Sequence, residues 1–112
     1  MSLSIRLKAE TVRSLAFGSI GAAYMGVGTA MFRPIRIMMI QNLTDENLMF
    51  SFDGIDDNFP LPKNGYILLD VTANKTRDEG FFLAEGERLY VKEITATPTS
   101  GSVYFTTFYG AQ

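Results

Sequence analysis

The sequence predicts an all-β domain: an antiparallel two-sheet sandwich with an extended N-terminal arm. The first observation behind this prediction is a period of two in hydrophobicity. In the runs 47–53 and 87–92 apolar side chains alternate with more polar ones, as in strands with one buried face. The second observation is the spacing of turn signals rich in Gly, Pro, Asn and Asp. They recur about every ten residues, which fits about seven to nine short strands.

The chain is predicted to begin with an arm, residues 1–11, followed by one β-sandwich domain, residues 12–112. Residues 3–8 alternate apolar and polar side chains, although residues 4–17 have an acceptable helical spacing as well. We favour an extended arm that leads into a first strand around residues 12–19. The uncharged stretch 14–31 follows basic residues and imitates a signal peptide or a short membrane span. Its four glycines keep the hydrophobicity modest, so we interpret it as glycine-broken β structure in a soluble chain.

The remaining strands are predicted from local pattern. Ile35, Ile37 and Met39 are expected on one face of a strand that is apolar on both sides and therefore central in its sheet. Residues 65–72 and 102–110 are also predicted as strands, the latter because β-branched and aromatic residues dominate it. The pair Asn64-Gly65 predicts a hairpin turn with positive φ at both residues.

Composition excludes several classes of function. The chain has 112 residues, a net charge of −2, no Cys and no His. The missing Cys and His exclude Cys-ligated zinc sites and nucleophilic sites of the Ser/His or Cys/His type. No Lys/Arg cluster is present, so nucleic acid is not an expected partner. We expect a single domain that is not an enzyme, needs no cofactor and does not act on a membrane.

Three aspartates form the densest group of acids in the chain: Asp53, Asp56 and Asp57. Such a group can hold a divalent cation, work as an acid/base pair or form a turn. The spacing does not match an EF-hand loop, and no Trp is present to provide a sugar-binding platform. Asp and Asn are good turn formers. We therefore predict a hairpin tip at Asp53-Gly54 and keep the three aspartates as weak metal candidates only.

Two regions are candidate contact surfaces for partners. In the arm these are Leu3, Ile5 and Leu7 on one side and Arg6 and Lys8 on the other. An extended arm either adds to the sheet edge of a neighbour or pairs as an edge strand in its own domain.

The second region is the adjacent pair Phe81 and Phe82, which either marks an interface or is buried on both sides of a strand. Two Asn-x-Thr sequons, at Asn42 and Asn74, are interpreted as loop residues. The aromatic residues on both sides of the last strand require cover by a second sheet or by another subunit.

The runs 40–54, 65–75 and 86–110 carry a resemblance to a known class. They contain a strand ending in Gln41-Asn42, a strand ending in Asp53-Gly54, and the turn 98–101 before a final aromatic strand. Over about residues 33–110 this pattern resembles the small jelly-roll or β-sandwich virion proteins of tailed bacteriophages, of the capsid decoration or stapling type.

The resemblance implies that the sandwich is jelly-roll-like and that the chain is a non-enzymatic structural protein located in the virion. Its expected partners are the major capsid protein or other virion subunits, and copies of itself. A ring protein of the neck or collar, at the head-tail connection, is the alternative within the same class of particle. A soluble calcium- or carbohydrate-binding module that uses the three aspartates is the alternative from another class.

Overall fold

A computed structural model describes residues 6–32, 35–70 and 87–111, and these contain nine β-strands and one short 3-10 helix. The strands are β1 Arg6–Ala9, β2 Arg13–Ala16, β3 Met25–Gly26, β4 Ile37–Asn42, β5 Leu48–Ser51, β6 Phe59–Leu61, β7 Tyr66–Asp70, β8 Tyr90–Glu93 and β9 Ser102–Ala111, and the helix is Phe17–Ser19. The prediction of an all-β domain is confirmed.

The strands form two antiparallel sheets. The larger sheet has the order β1-β9-β4-β7, with β2 also paired to β9, and the smaller has the order β3-β8-β5-β6. When β1 and β2 are counted as one interrupted strand, the eight resulting strands are ordered 1-8-3-6 and 2-7-4-5. This is the wrapping of a jelly roll. Every long pairing thus joins segments that are far apart in sequence.

The first strand is interrupted by one extra residue. Ala9 pairs with Phe108, and Arg13 pairs with Phe105, so three residues of the first strand face two of β9. A bulge of this kind bends a strand without ending its pairing. Of the two arrangements considered for the arm, residues 6–9 adopt the one within their own domain, as an edge strand on β9.

The core lies between the two sheets. Alternate residues of the central strands are buried there, as the period of two predicts. The fully buried members include Met38 and Ile40 of β4, Leu48 and Phe50 of β5, Val91 of β8, and Val103 and Phe105 of β9. Their burial is the main favourable contribution to folding.

Two local predictions are wrong. Ile35 does not share a face with Ile37, because a bend at Arg36 shifts the alternation: Ile35 is buried like Met38, whereas Ile37 is half-buried on the opposite side. Asn64-Gly65 is not a hairpin, because β6 and β7 belong to different sheets.

The turn at Asn64 also differs in its conformation. Of Asn64 and Gly65, only Asn64 has a positive φ, of 60°. The Gly65 amide donates to the Pro62 carbonyl at 2.9 Å, so Lys63 and Asn64 are the central residues of the turn. The turn therefore carries the chain from one sheet to the other.

The stretch 14–31 has only part of the β structure that was predicted for it, because most of its residues lie outside the strands. It contains most of β2, the 3-10 helix and β3. Among the described residues no helix has the length and apolarity needed to cross a membrane.

Candidate interaction surface

The side of the larger sheet that faces away from the core presents a three-by-three grid of side chains, which we call the outer face. Its rows follow from the strand register and consist of Asp70, Ile37 and Phe108; Leu68, Met39 and Thr106; and Tyr66, Gln41 and Tyr104. Six of these nine side chains are aliphatic or aromatic, and only Asp70 is charged. Side chains in one row are direct neighbours across the strands, so the apolar surface is continuous.

The outer face is accessible to solvent. Tyr66 and Leu68 on β7 are 67% and 58% exposed, and the outward residues of β4 and β9 are half-buried. Single exposed apolar side chains are common on soluble proteins, but a contiguous apolar patch marks a contact site. The sequence predicts that the aromatic residues on both sides of the last strand are covered, by a second sheet or by another subunit. The outer face is the side that the second sheet does not cover.

The outward side of the smaller sheet is different, and we call it the covered face. The loop 52–58 folds back over it, so that a Cβ on Gly54 would lie 3.3 Å from the Tyr90 ring. The Lys92 ammonium lies 3.2 Å from the Asp57 carboxylate and 4.7 Å from the centre of the Tyr24 ring. The Tyr24 hydroxyl donates to Asp57. Segments of the chain itself thus occupy this side of the sandwich.

Contacts on the covered face shift the pKa values of Asp57 and Tyr24 in opposite directions. The hydrogen bond from Tyr24, followed by the contacts with Lys92, lowers the pKa of Asp57. Partial burial, followed by the bond to Asp57, raises the pKa of Tyr24. Both pKa values move away from neutrality. The two groups are therefore poorly suited to exchange protons near neutral pH, where general acid–base catalysis requires a matched pKa.

A pocket of about 380 Å³ borders the covered face. It is lined by Ala22, Met49, Asp57, Lys92, Glu93 and Ile94. Its ammonium group is already paired with Asp57, and the Glu93 carboxylate accepts two contacts from the Thr97 hydroxyl. The charged side chains among the described lining residues are thus each engaged by a partner within the chain.

The three aspartates lie in the loop of the β5–β6 hairpin, and Asp53 forms the turn that was predicted there. Oδ1 of Asp53 accepts hydrogen bonds from the Ser51 hydroxyl at 2.7 Å and from the backbone amides of Ile55 and Asp56 at 2.8 and 2.9 Å. Asp57 points instead to Tyr24 and Lys92. Among the residues described, no three acidic, His or Cys side chains are grouped as metal ligands would be. The loop oxygens thus stabilise the hairpin that covers the smaller sheet.

A buried ion pair ties the end of the arm to the sandwich. The Arg13 guanidinium lies 2.8 Å from the Glu10 carboxylate, and both side chains are about 5% exposed. Arg13 also donates to the Thr107 hydroxyl at 3.0 Å and to the Thr29 and Ala30 carbonyls. The Thr107 hydroxyl in turn donates to Glu10. Buried charges require this degree of pairing, so Glu10 is structurally part of the domain although it lies within the predicted arm.

Asn42 is a second buried polar centre. Its side-chain amide donates to the carbonyls of Glu46, Leu61 and Pro62 at 2.9–3.2 Å, and its carbonyl oxygen accepts from the backbone amide and hydroxyl of Thr44. Asn42 and Thr44, the two ends of the first sequon, are buried. The interpretation of Asn42 as a loop residue is therefore wrong. Its side-chain nitrogen is unavailable for glycosylation in the folded protein.

The predicted contact residues are only partly described. Leu7 is 56% exposed, Lys8 is exposed and Arg6 is paired through its backbone to Ala111. Leu3, Ile5, Phe81 and Phe82 lie outside the described residues. The many aromatic residues of β9 were identified from the sequence, but the contributions of Tyr66 and Leu68 to the outer face were not. The alternation of side chains along β7 is visible in the sequence, but which of them face outward depends on the pairing of β7 with β4.

Comparison with known proteins gives no relative. No protein-family model, no curated protein and no solved structure matches this chain. The assignment of a function therefore rests on the fold and on its surfaces.

Proposed function

We propose that this protein is a non-enzymatic structural subunit of a tailed-bacteriophage virion. In this role it decorates or staples the capsid shell by binding capsid subunits and neighbouring copies of itself. Jelly rolls are common in viral capsid domains, but they also occur in lectins and cupins, so the topology alone does not decide the function. The observation that carries the proposal is the mostly apolar outer face, which has a single charged side chain, because such a surface suits contact between subunits.

Multivalency explains how small contacts suffice in this role. A symmetric shell presents many equivalent sites, and neighbouring copies raise the effective concentration of each contact. The arm end of the larger sheet supplies a second exposed region, at Leu7 and Lys8. We assign capsid binding to this end, together with the predicted contact residues Leu3, Ile5, Phe81 and Phe82.

The test is the copy number of the protein in purified virions, measured by quantitative mass spectrometry. We expect hundreds of copies for a shell protein, against about a dozen for a ring at the neck. A count near a dozen would assign the protein to the neck or collar. Absence from washed particles would refute a virion role altogether.

A pair of matched variants tests the arm end. Leu7 and Val12 are exposed to similar extents, 56% and 51%, so neither substitution removes a core side chain. Leu7→Asp should reduce incorporation into particles, whereas Val12→Asp should leave it unchanged. Equal incorporation of both variants would contradict capsid binding at this end.

A further inference from the structure

We propose that the outer face is a self-association surface, on which a second copy of this chain packs face to face about a two-fold axis. The inference concerns the face alone and holds whether or not the protein belongs to a virion. Two sheets stacked in this way would lie about 10 Å apart, with strand directions within about 30° of alignment. The contact would extend the two-layer sandwich of one copy into four layers.

The charge of the outer face favours a second copy over an unlike partner. Residues that meet themselves across a two-fold axis must not repel. Eight of the nine side chains in the grid are uncharged, and Asp70 stands at one corner. An unlike partner that is selected by charge must match a pattern of charges on the surface it binds. The grid carries only one charged side chain and offers no such pattern. Apolar surface of the same kind is its most compatible partner.

The proposal includes one two-fold arrangement, chosen because it stacks the aromatic side chains of β9 on each other. An axis in the interface plane and perpendicular to the strands places β7 over β7 of the second copy, running in the opposite direction. The row of Asp70 then lies over the row of Tyr66, so the two Asp70 carboxylates are kept apart. Phe108 lies over Tyr104 of the other copy, a pair suited to aromatic contact. Leu68 and Met39, in the middle row, meet their own counterparts.

The size of the face sets the strength of the contact. The grid spans roughly 10 Å across the strands and 13 Å along them between Cα positions. Standard interfaces contain about 20–30 residues on each side, more than twice the nine in the grid. We therefore expect a weak dimer, with a dissociation constant on the order of 0.1 mM.

Sedimentation velocity over a range of concentrations tests the association. The mass of the unmodified protein should rise from monomer toward dimer as its concentration passes about 0.1 mM. Leu68→Lys should weaken association at least about tenfold by placing two ammonium groups opposite each other. The matched control is Ile55→Lys, because Ile55 is 79% exposed but lies in the loop of the covered face. It should associate like the unmodified protein.

Crosslinking tests the orientation, because the chain has no native cysteine. Leu68→Cys should be crosslinked to itself by a short bis-maleimide, and Ile55→Cys should not. Dimerisation without this crosslink would overturn the two-fold arrangement. A protein that remains monomeric throughout, or an equal loss with Ile55→Lys, would overturn the self-association itself. If Leu68→Lys instead destabilises the monomer, the outer face is covered by a segment of the same chain and not by a second copy.

Discussion

The outer face and the covered face are the two outward sides of one sandwich, and they differ in how much of the chain packs against them. On the covered face a loop packs over Tyr90, and the Lys92 charge is paired with Asp57. On the outer face Leu68 and Tyr66 are more than half exposed. The central strands of both sheets bury their inward side chains, such as Phe105 and Phe50. The difference teaches that the core specifies the fold, whereas the contrast between the outward sides locates the surface for which we propose a partner.

The largest expected effect is on the free energy of unfolding, and it differs between the two sides of one strand. Phe105 is completely buried, whereas Phe108, on the same strand β9, is half-buried on the outer face. Phe105→Ala should lower the free energy of unfolding by about 3–5 kcal/mol because it leaves a cavity in the core. Phe108→Ala should cost about 1 kcal/mol. Urea unfolding of dilute monomer measures both, and equal losses would mean that the outer face is packed as tightly as the core.

An intermediate effect is expected where the loop meets the covered face. Gly54 has a φ of 75°, and an added Cβ would touch the Tyr90 ring. Gly54→Ala should therefore lower the free energy of unfolding by about 1–2 kcal/mol, the cost of a left-handed conformation for a residue with a side chain. Gly21→Ala is the control, because its Cβ would meet no atom within 4 Å. If both variants unfold at the same denaturant concentration, the loop does not need this conformation.

The smallest effect is a pH dependence of the same loop. The Ser51 hydroxyl, followed by the Ile55 and Asp56 amides, lowers the pKa of Asp53 from 3.8 to about 2. Because the folded pKa is depressed, the stabilisation is fully present above the unfolded pKa and is lost as the pH falls through about 4 to 2. Asp53→Asn should therefore melt at a lower temperature than the unmodified protein at pH 6, and the difference should narrow toward pH 2.

The control for this titration is Asp56→Asn, which removes the same charge from the same loop. Its melting temperature should stay closer to that of the unmodified protein at pH 6, because Asp53 accepts the loop hydrogen bonds. The effect of Asp53 is small because its carboxylate is exposed to solvent. A constant difference between Asp53→Asn and the unmodified protein from pH 6 to pH 2 would contradict the assignment.

The sequence by itself determined the class of the fold and much of the inside–outside pattern. Alternation in residues 48–52 and 88–92 is local, since successive side chains of a strand point to opposite sides. The burial of Phe50 and Val91 could therefore be predicted. The turn at Asp53-Gly54 could be predicted for the same reason, because its residue types act through hydrogen bonds to their own backbone.

Only the tertiary structure decided which strands pair and which polar groups are buried. The two-residue period is the same for every strand, so it does not specify that β9 lies between β1 and β4. Glu10 and Arg13 have the spacing of an ordinary surface pair, and their burial depends on Thr29 and Thr107, far away in the chain. Asn42 is likewise buried because carbonyls from 46 and 61–62 converge on it. Such partners are brought together only by long-range pairing, and a local pattern carries no information about them.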